Sequence, residues 1–135
     1  MLWTFADFLS ASGIDVVETW YGEELSEEAQ LLFDNILKDN QKTEDHRNWV
    51  GYRGFPKGEA KKYRIWEIGF KADDRQYRVF CIFGGNRNQV ILLLGCYHKG
   101  RIYTPADAID TAIRYVKALN NREATIHERP ICIDF

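Results

Sequence analysis

The clearest pattern in the chain is an alternation of apolar and polar positions between Tyr63 and Thr104. Arg64, Trp66, Ile68 and Phe70 share one side of an extended segment, and Tyr63, Ile65, Glu67 and Lys71 the other. Ala72-Asp73-Asp74-Arg75 predicts a turn. Tyr77, Val79, Cys81 and Phe83 then alternate with Arg78, Phe80 and Ile82 in a second strand. Gly84-Gly85-Asn86-Arg87-Asn88 has the composition of a hairpin connection. Val90 to Cys96 is nearly all apolar, as expected of a central strand covered on both faces. The short links between these runs imply an antiparallel meander.

Elsewhere the period changes. Leu25, Ala29, Leu32, Phe33, Ile36 and Leu37 recur at three- and four-residue steps, which predicts a helix capped by Ser26 and running to about Asp39 or Asn40. Glu27 and Glu28 sit in its first turn, where the helix dipole favours acids. Thr104-Pro105-Ala106-Asp107 reads as the start of a second helix, with Ile109, Ala112, Ile113, Val116 and Leu119 as its buried stripe and Asn120-Asn121 as its end. Leu2, Phe5 and Leu9 are spaced for a short helix or docked arm, and Ile14, Val16 and Trp20 for a strand. Residues 40–62 are the least periodic: 44–50 reads as a short helix, and Gly51, Gly54, Pro56 and Gly58 mark a loop. The tail has a strand-like Ile131-Cys132-Ile133. We expect a single α+β domain over residues 1–135, a small antiparallel sheet with helices packed on one face, in the order β-α-(α)-β-β-β-α. Its core spans about 14–119, with an N-terminal extension (1–13) and a C-terminal tail (120–135).

A chain of 135 residues, 45 % hydrophobic, suffices for one core without disulfides or metal. No apolar run approaches the roughly 20 residues of a membrane helix, and Met1 to Leu9 lacks the basic flank of a signal peptide. Three cysteines without a CxxC spacing predict reduced, buried thiols and a cytoplasmic location. The net charge of −2 conceals a segregation. Residues 1–41 carry a balance of −8, residues 42–101 a balance of +7 and residues 102–135 a balance of −1. A basic middle suits phosphate, where the overall balance would not suggest it.

No phosphate-binding loop, dinucleotide fingerprint, HExxH or nucleophile elbow is present, and His46, His98 and His127 are too scattered for a metal. No cofactor is expected. What remains is a concentration of Arg, Lys, Tyr and one His around the sheet. Tyr97, His98, Lys99, Arg101 and Tyr103 follow the apolar third strand, and Arg78 interrupts the apolar side of the second. A buried arginine there needs a carboxylate or a substrate anion. Glu67 on the neighbouring strand is the obvious carboxylate. The group suits RNA cleavage. Histidine serves for acid/base work on the 2′-hydroxyl and the leaving 5′-oxygen, Arg78, Lys99 and Arg101 for the developing phosphorane charge, and Tyr97 or Tyr103 for stacking or proton transfer.

The runs Trp66-Glu67-Ile68, Tyr77-Arg78-Val79-Phe80 and Val90 to Gly95, with Lys99 and Thr104-Pro105 before a helix, resemble the RelE/HigB toxins of type II toxin–antitoxin pairs, most closely their phage-derived HigB-like branch. The resemblance covers about residues 14–119. It implies that Arg78 contacts the scissile phosphate, that Tyr97-His98 forms the aromatic–His end of the last strand, and that Lys99, Arg101 and Tyr103 complete the site. It further implies that Lys61 and Lys62 form a basic loop, with mRNA and the ribosome as partners and a cognate antitoxin over the basic groove; Lys57, Arg64 and Arg75 complete the RNA-binding set we expect. A non-catalytic module on the same fold, directed at gyrase or serving a phage, is the alternative. The chain departs from the pattern in its longer ends, its more acidic first helix, and His98 in place of one lysine of a Lys-Lys pair.

Overall fold

The computed structural model describes residues 2–55 and 58–131. In chain order it contains β1 (Thr4–Leu9), α1 (Val16–Glu24), α2 (Glu27–Gln41), a 3-10 turn (His46–Asn48), α3 (Glu59–Lys62), β2 (Trp66–Ala72), β3 (Arg75–Phe83), β4 (Gln89–Lys99), β5 (Ile102–Thr104), α4 (Ala108–Asn120) and β6 (Thr125–Arg129). The fold is α+β. The strands form one sheet in the order β2-β3-β4-β1-β6, with β5 paired to β4. All pairs are antiparallel except β1 with β4.

The meander lies where the alternation predicted it, and α2 is capped by Ser26, whose Oγ accepts the Ala29 N–H at 3.1 Å. Four expectations are corrected. Residues 4–9 form a strand and not a helix. Wedged between β4 and β6, β1 buries Phe5, Ala6, Asp7 and Phe8, so both faces are covered and no period-two signal survives. Residues 16–24 form a helix and not a strand. Asp15 caps it by accepting the Glu18 N–H at 2.9 Å, and burial of Val17 and Trp20 at a three-residue step outweighs the β-branched composition. Thr104 does not start the last helix, because it pairs with Tyr97 in β5; Asp107 holds the N-cap position. Finally, helices cover both faces of the sheet instead of one. Val17, Trp20, Phe33, Ile36 and Leu37 of α1 and α2 pack on Phe5, Ile68, Phe70, Tyr77, Val79 and Leu92. Ala108, Ala112, Ile113 and Val116 of α4, with Ala60 of α3, pack on Phe8, Phe80, Ile91, Leu93, Leu94 and Cys96.

The tail supplies β6 at Thr125–Arg129, upstream of the predicted Ile131–Ile133 run, of which residues 132 and 133 lie outside the described residues. Arg129 anchors it. Its Nη1 donates to Asp7 Oδ2 at 2.8 Å and to Glu18 Oε2 at 2.9 Å, and its guanidinium lies over the rings of Tyr21 and Phe33. Burial raises Asp7 to about 7, against the opposing pull of Arg129. Cys81 and Cys96 are buried free thiols, both pushed up by burial; Cys132 lies outside the described residues.

A bulge in β4 sets the phase of everything downstream. Phe80 pairs with Leu94 but Cys81 with Leu92, so Leu93 has no partner opposite. Val90 and Leu92 face α1 and α2, whereas Leu93 and Leu94 both join the α4 side. Cys96 follows on the α4 side, and Gly95 and Tyr97 on the other. Gly95 has to be small there, because a Cβ would run into the Trp20 ring.

Candidate functional site

Three cross-strand rows on the α4 side of the sheet build the site. The first is Glu67–Phe80–Leu94, the second Gly69–Arg78–Cys96, and the third Lys71–Gln76–His98–Tyr103. Arg78 stands at the centre and is only 6 % exposed. Its Nη1 donates to the carbonyl of Tyr77 at 2.9 Å. Among the described residues it makes no ion pair within 4.0 Å. Burial lowers its pKa, and the positive charge of Arg53 adds to the effect.

Glu67 is therefore not the ion-pair partner that the sequence offers for Arg78. Its buried carboxylate instead accepts the hydroxyl of Tyr103 in a short hydrogen bond. The β4–β5 hairpin makes this reach possible: Gly100, at φ +62°, turns the chain, and Tyr103 comes back opposite His98. The Tyr103 ring meets His98 edge-on at 4.9 Å and Phe80 at 5.2 Å. Burial and the Glu67 carboxylate both raise the phenol, so Tyr103 is a held, neutral donor. The half-buried His98 is left with the exposed rim of the row, beside Lys71 and Gln76.

The predicted residues divide between the two faces. Arg78, His98 and Tyr103 come together on the α4 side. Tyr97 does not join them: it pairs with Tyr77 on the α1/α2 side, where the Arg75 guanidinium lies 4.7 Å from its ring centre. Adjacent residues of a strand point to opposite faces, and β4 continues through Lys99, so Tyr97 and His98 separate. Arg75 goes with Tyr97. Lys99 and Arg101 are exposed at the hairpin tip. Lys61 and Lys62 are exposed on α3, whose Ala60 packs into the α4-side cluster, and exposed Arg64 takes a left-handed conformation at φ +58° just before β2. Lys57 lies outside the described residues. The acidic helix α2 covers the opposite face from Arg78.

One cation of the site is absent from the sequence-based set. Residues 51–54 run along the outer edge of β2, through Arg53 N–H to Glu67 O at 3.0 Å, Glu67 N–H to Gly54 O at 3.1 Å and Gly69 N–H to Gly51 O at 2.8 Å. This pairing lays the Arg53 side chain over Gly69, next to the Arg78 guanidinium. Nothing local marks Arg53 in the sequence, because its position depends on a tertiary strand pairing. Among the described residues no group of three or more His, Cys, Asp or Glu side chains could hold a metal, and no helix is long and apolar enough to cross a membrane.

The site can seat an anion against Arg78 and place a histidine and a neutral phenol on the same face. A family model described as "Phage derived protein Gp49-like (DUF891)" matches residues 23–117. No curated protein and no solved structure matches the chain at significance.

Proposed function

This chain belongs to the phage-derived Gp49-like family, a toxin-like family of toxin–antitoxin systems, and from that premise we propose that it is a RelE/HigB-like endoribonuclease that cuts mRNA. In this reading His98 exchanges protons with the RNA. The 2′-oxygen loses its proton and bonds to the adjacent phosphorus, the bond from phosphorus to the 5′-oxygen breaks, and that oxygen takes a proton. The products are a 2′,3′-cyclic phosphate and a 5′-hydroxyl. Arg78 stabilises the extra negative charge on phosphorus in a setting where burial strengthens the interaction. Tyr103, locked to Glu67, shapes the wall against which His98 rests and stacks on a base. Lys61, Lys62, Arg64, Lys99 and Arg101 supply exposed positive charge for the RNA backbone. Tyr97 and Arg75, on the other face, stay outside the reaction. The ribosome is the setting and a cognate antitoxin the neutralising partner.

The observation that carries this reading is Arg78 itself, a buried guanidinium without an ion-pair partner within 4.0 Å among the described residues, on the same sheet face as His98. The test is controlled induction in a bacterial host, with growth and full-length mRNA followed together. Loss of intact mRNA that disappears in Arg78→Ala and in His98→Ala, each confirmed to fold by circular dichroism, is expected. Growth arrest with intact mRNA would favour the non-catalytic alternative, and undiminished cleavage in both variants would remove these residues from the site.

A further inference from the structure

We infer that Arg53 and Arg78 together form a two-guanidinium seat for a single phosphodiester oxyanion, with Gly69 as its floor. The inference deepens the RNA reading and rests on it for the substrate class. Three observations lead to it. First, the Arg78 guanidinium is buried and held by one main-chain carbonyl, at 2.9 Å, with its remaining N–H donors uncommitted to any carboxylate among the described residues. Second, the fold brings a like charge to it. Arg53 is exposed, has room to turn elsewhere, and yet lies against the same glycine: a Cβ built on Gly69 would stand 2.5 Å from Arg53 Cδ and 2.7 Å from Arg78 Nη1. Two adjacent cations repel unless an anion lies between them. Third, the placement of Arg53 is enforced by the backbone. The hydrogen bonds of residues 51, 53 and 54 to Glu67 and Gly69 bind this segment to β2 on both sides of the arginine.

Gly69 matters for space and not for its backbone angles. Any side chain there would push the two arginines apart, whereas hydrogen lets both arginine side chains pack down against the strand side by side. Glu67, one row away, accepts the Tyr103 hydroxyl and makes no ion pair with Arg78 within 4.0 Å, although its charge still acts on that arginine. Arginine suits this geometry because its planar fork offers paired donors to two oxygens of one phosphate. The Arg53 half grips the phosphate from the solvent side and the Arg78 half from within the sheet.

The experiment measures binding by calorimetry, with two probes: inorganic phosphate, and a short RNA whose 2′-hydroxyls are methylated so that it cannot be cut. Arg53→Gln, Gly69→Ala and, as a charge control on the β3–β4 turn, Arg87→Gln are compared with the unchanged protein. Arg53→Gln removes an exposed side chain and is expected to leave the fold intact. Gly69→Ala is checked by its unfolding curve. The seat predicts that Arg53→Gln and Gly69→Ala weaken both probes about tenfold to a hundredfold, while Arg87→Gln changes phosphate affinity by less than about twofold. An Arg53→Gln protein that binds phosphate like Arg87→Gln overturns the inference. Cleavage of unmodified RNA is followed in parallel. Phosphate held through both arginines without cleavage would keep the seat and refute the nuclease. Cleavage at the unchanged rate in Arg53→Gln, with unchanged phosphate affinity, would keep the nuclease and refute the seat.

Discussion

If Arg78 is retained for an anion and not for the fold, the fold should improve without it. Arg78→Met tests this, because methionine keeps much of the length and apolar stem while removing the charge. Arg78 as a residue is 6 % exposed, and among the described residues its guanidinium has one hydrogen bond, to Tyr77 O at 2.9 Å. A buried charge with no carboxylate within 4.0 Å among the described residues carries a desolvation penalty of several kcal/mol that the more distant Glu67 charge offsets only in part, and a single hydrogen bond from a charged group returns roughly 1.5–3 kcal/mol. Replacement of buried ionic groups by apolar ones of similar volume is often stabilising by about 1–4 kcal/mol. The remaining Arg53, exposed, can then relax into solvent. We expect Arg78→Met to raise the unfolding free energy by about 2 kcal/mol. With a urea dependence of about 2 kcal/mol per molar for a domain of this size, the midpoint should rise by about 1 M. Inorganic phosphate should reverse the ranking. At a hundred times its dissociation constant it adds about 2.7 kcal/mol to the protein that binds it, and Arg78→Met should gain nothing. Chemical denaturation with and without phosphate supplies both numbers. A destabilised Arg78→Met protein would mean that the arginine is a structural tie, and the argument for an anion site would fail with it.

Three further outcomes follow from the packing. Gly95→Ala places a methyl in the Trp20 ring, which Phe33 and Tyr77 back edge-on at 5.6 and 6.2 Å; the midpoint of thermal unfolding should fall by roughly 5–10 °C, and an unchanged midpoint would show that α1 yields freely. Tyr103→Phe leaves the buried Glu67 carboxylate without its hydroxyl donor and should cost about 1–3 kcal/mol in urea unfolding; no loss would mean that the bond is not made in solution. Asp7, almost wholly buried, has its pKa raised from 3.8 to about 7, so the folded state holds that proton more tightly than the unfolded state. Its stabilising contribution is then fully present below pH 3.8 and lost as pH rises toward 7, a change of ~4 kcal/mol. Asp7→Asn lacks this dependence, so its stability relative to the parent should climb between pH 4 and 7; a flat difference would contradict the burial argument.

What could be read from the sequence depended on whether one face of an element stays polar. β2 and β3 carry Glu67, Lys71 and Arg78 on one side of an apolar row, so their alternation was visible. β1 carries Phe5-Ala6-Asp7-Phe8, buried on both sides, and the incidental spacing of Leu2, Phe5 and Leu9 imitated a helix. For α1, the Ile14, Val16 and Val17 composition pointed to a strand, while the Asp15 cap and the Val17–Trp20 step held the better signal. The site was legible in part for the same reasons. Arg78 was conspicuous as a charge in an apolar strand. The bulge at Leu93 was not, since nothing in the run Val90 to Leu94 marks an extra residue. Counted from Val90 without it, Tyr97 would share the face of Arg78; with it, His98 does. Arg53 depended on an edge pairing with β2 between residues more than ten positions apart, which no local pattern encodes.

A nuclease that uses the 2′-hydroxyl of its substrate leaves a distinctive pair of cut ends, and their chemistry decides whether this chain is one. mRNA recovered after induction of the parent chain and of His98→Ala should be sequenced at its new termini, with enzymatic discrimination of the end groups. We expect 5′-hydroxyl and 2′,3′-cyclic phosphate ends in the parent, absent from His98→Ala. New ends bearing 5′-phosphate, or arrested growth with no new ends, would contradict it.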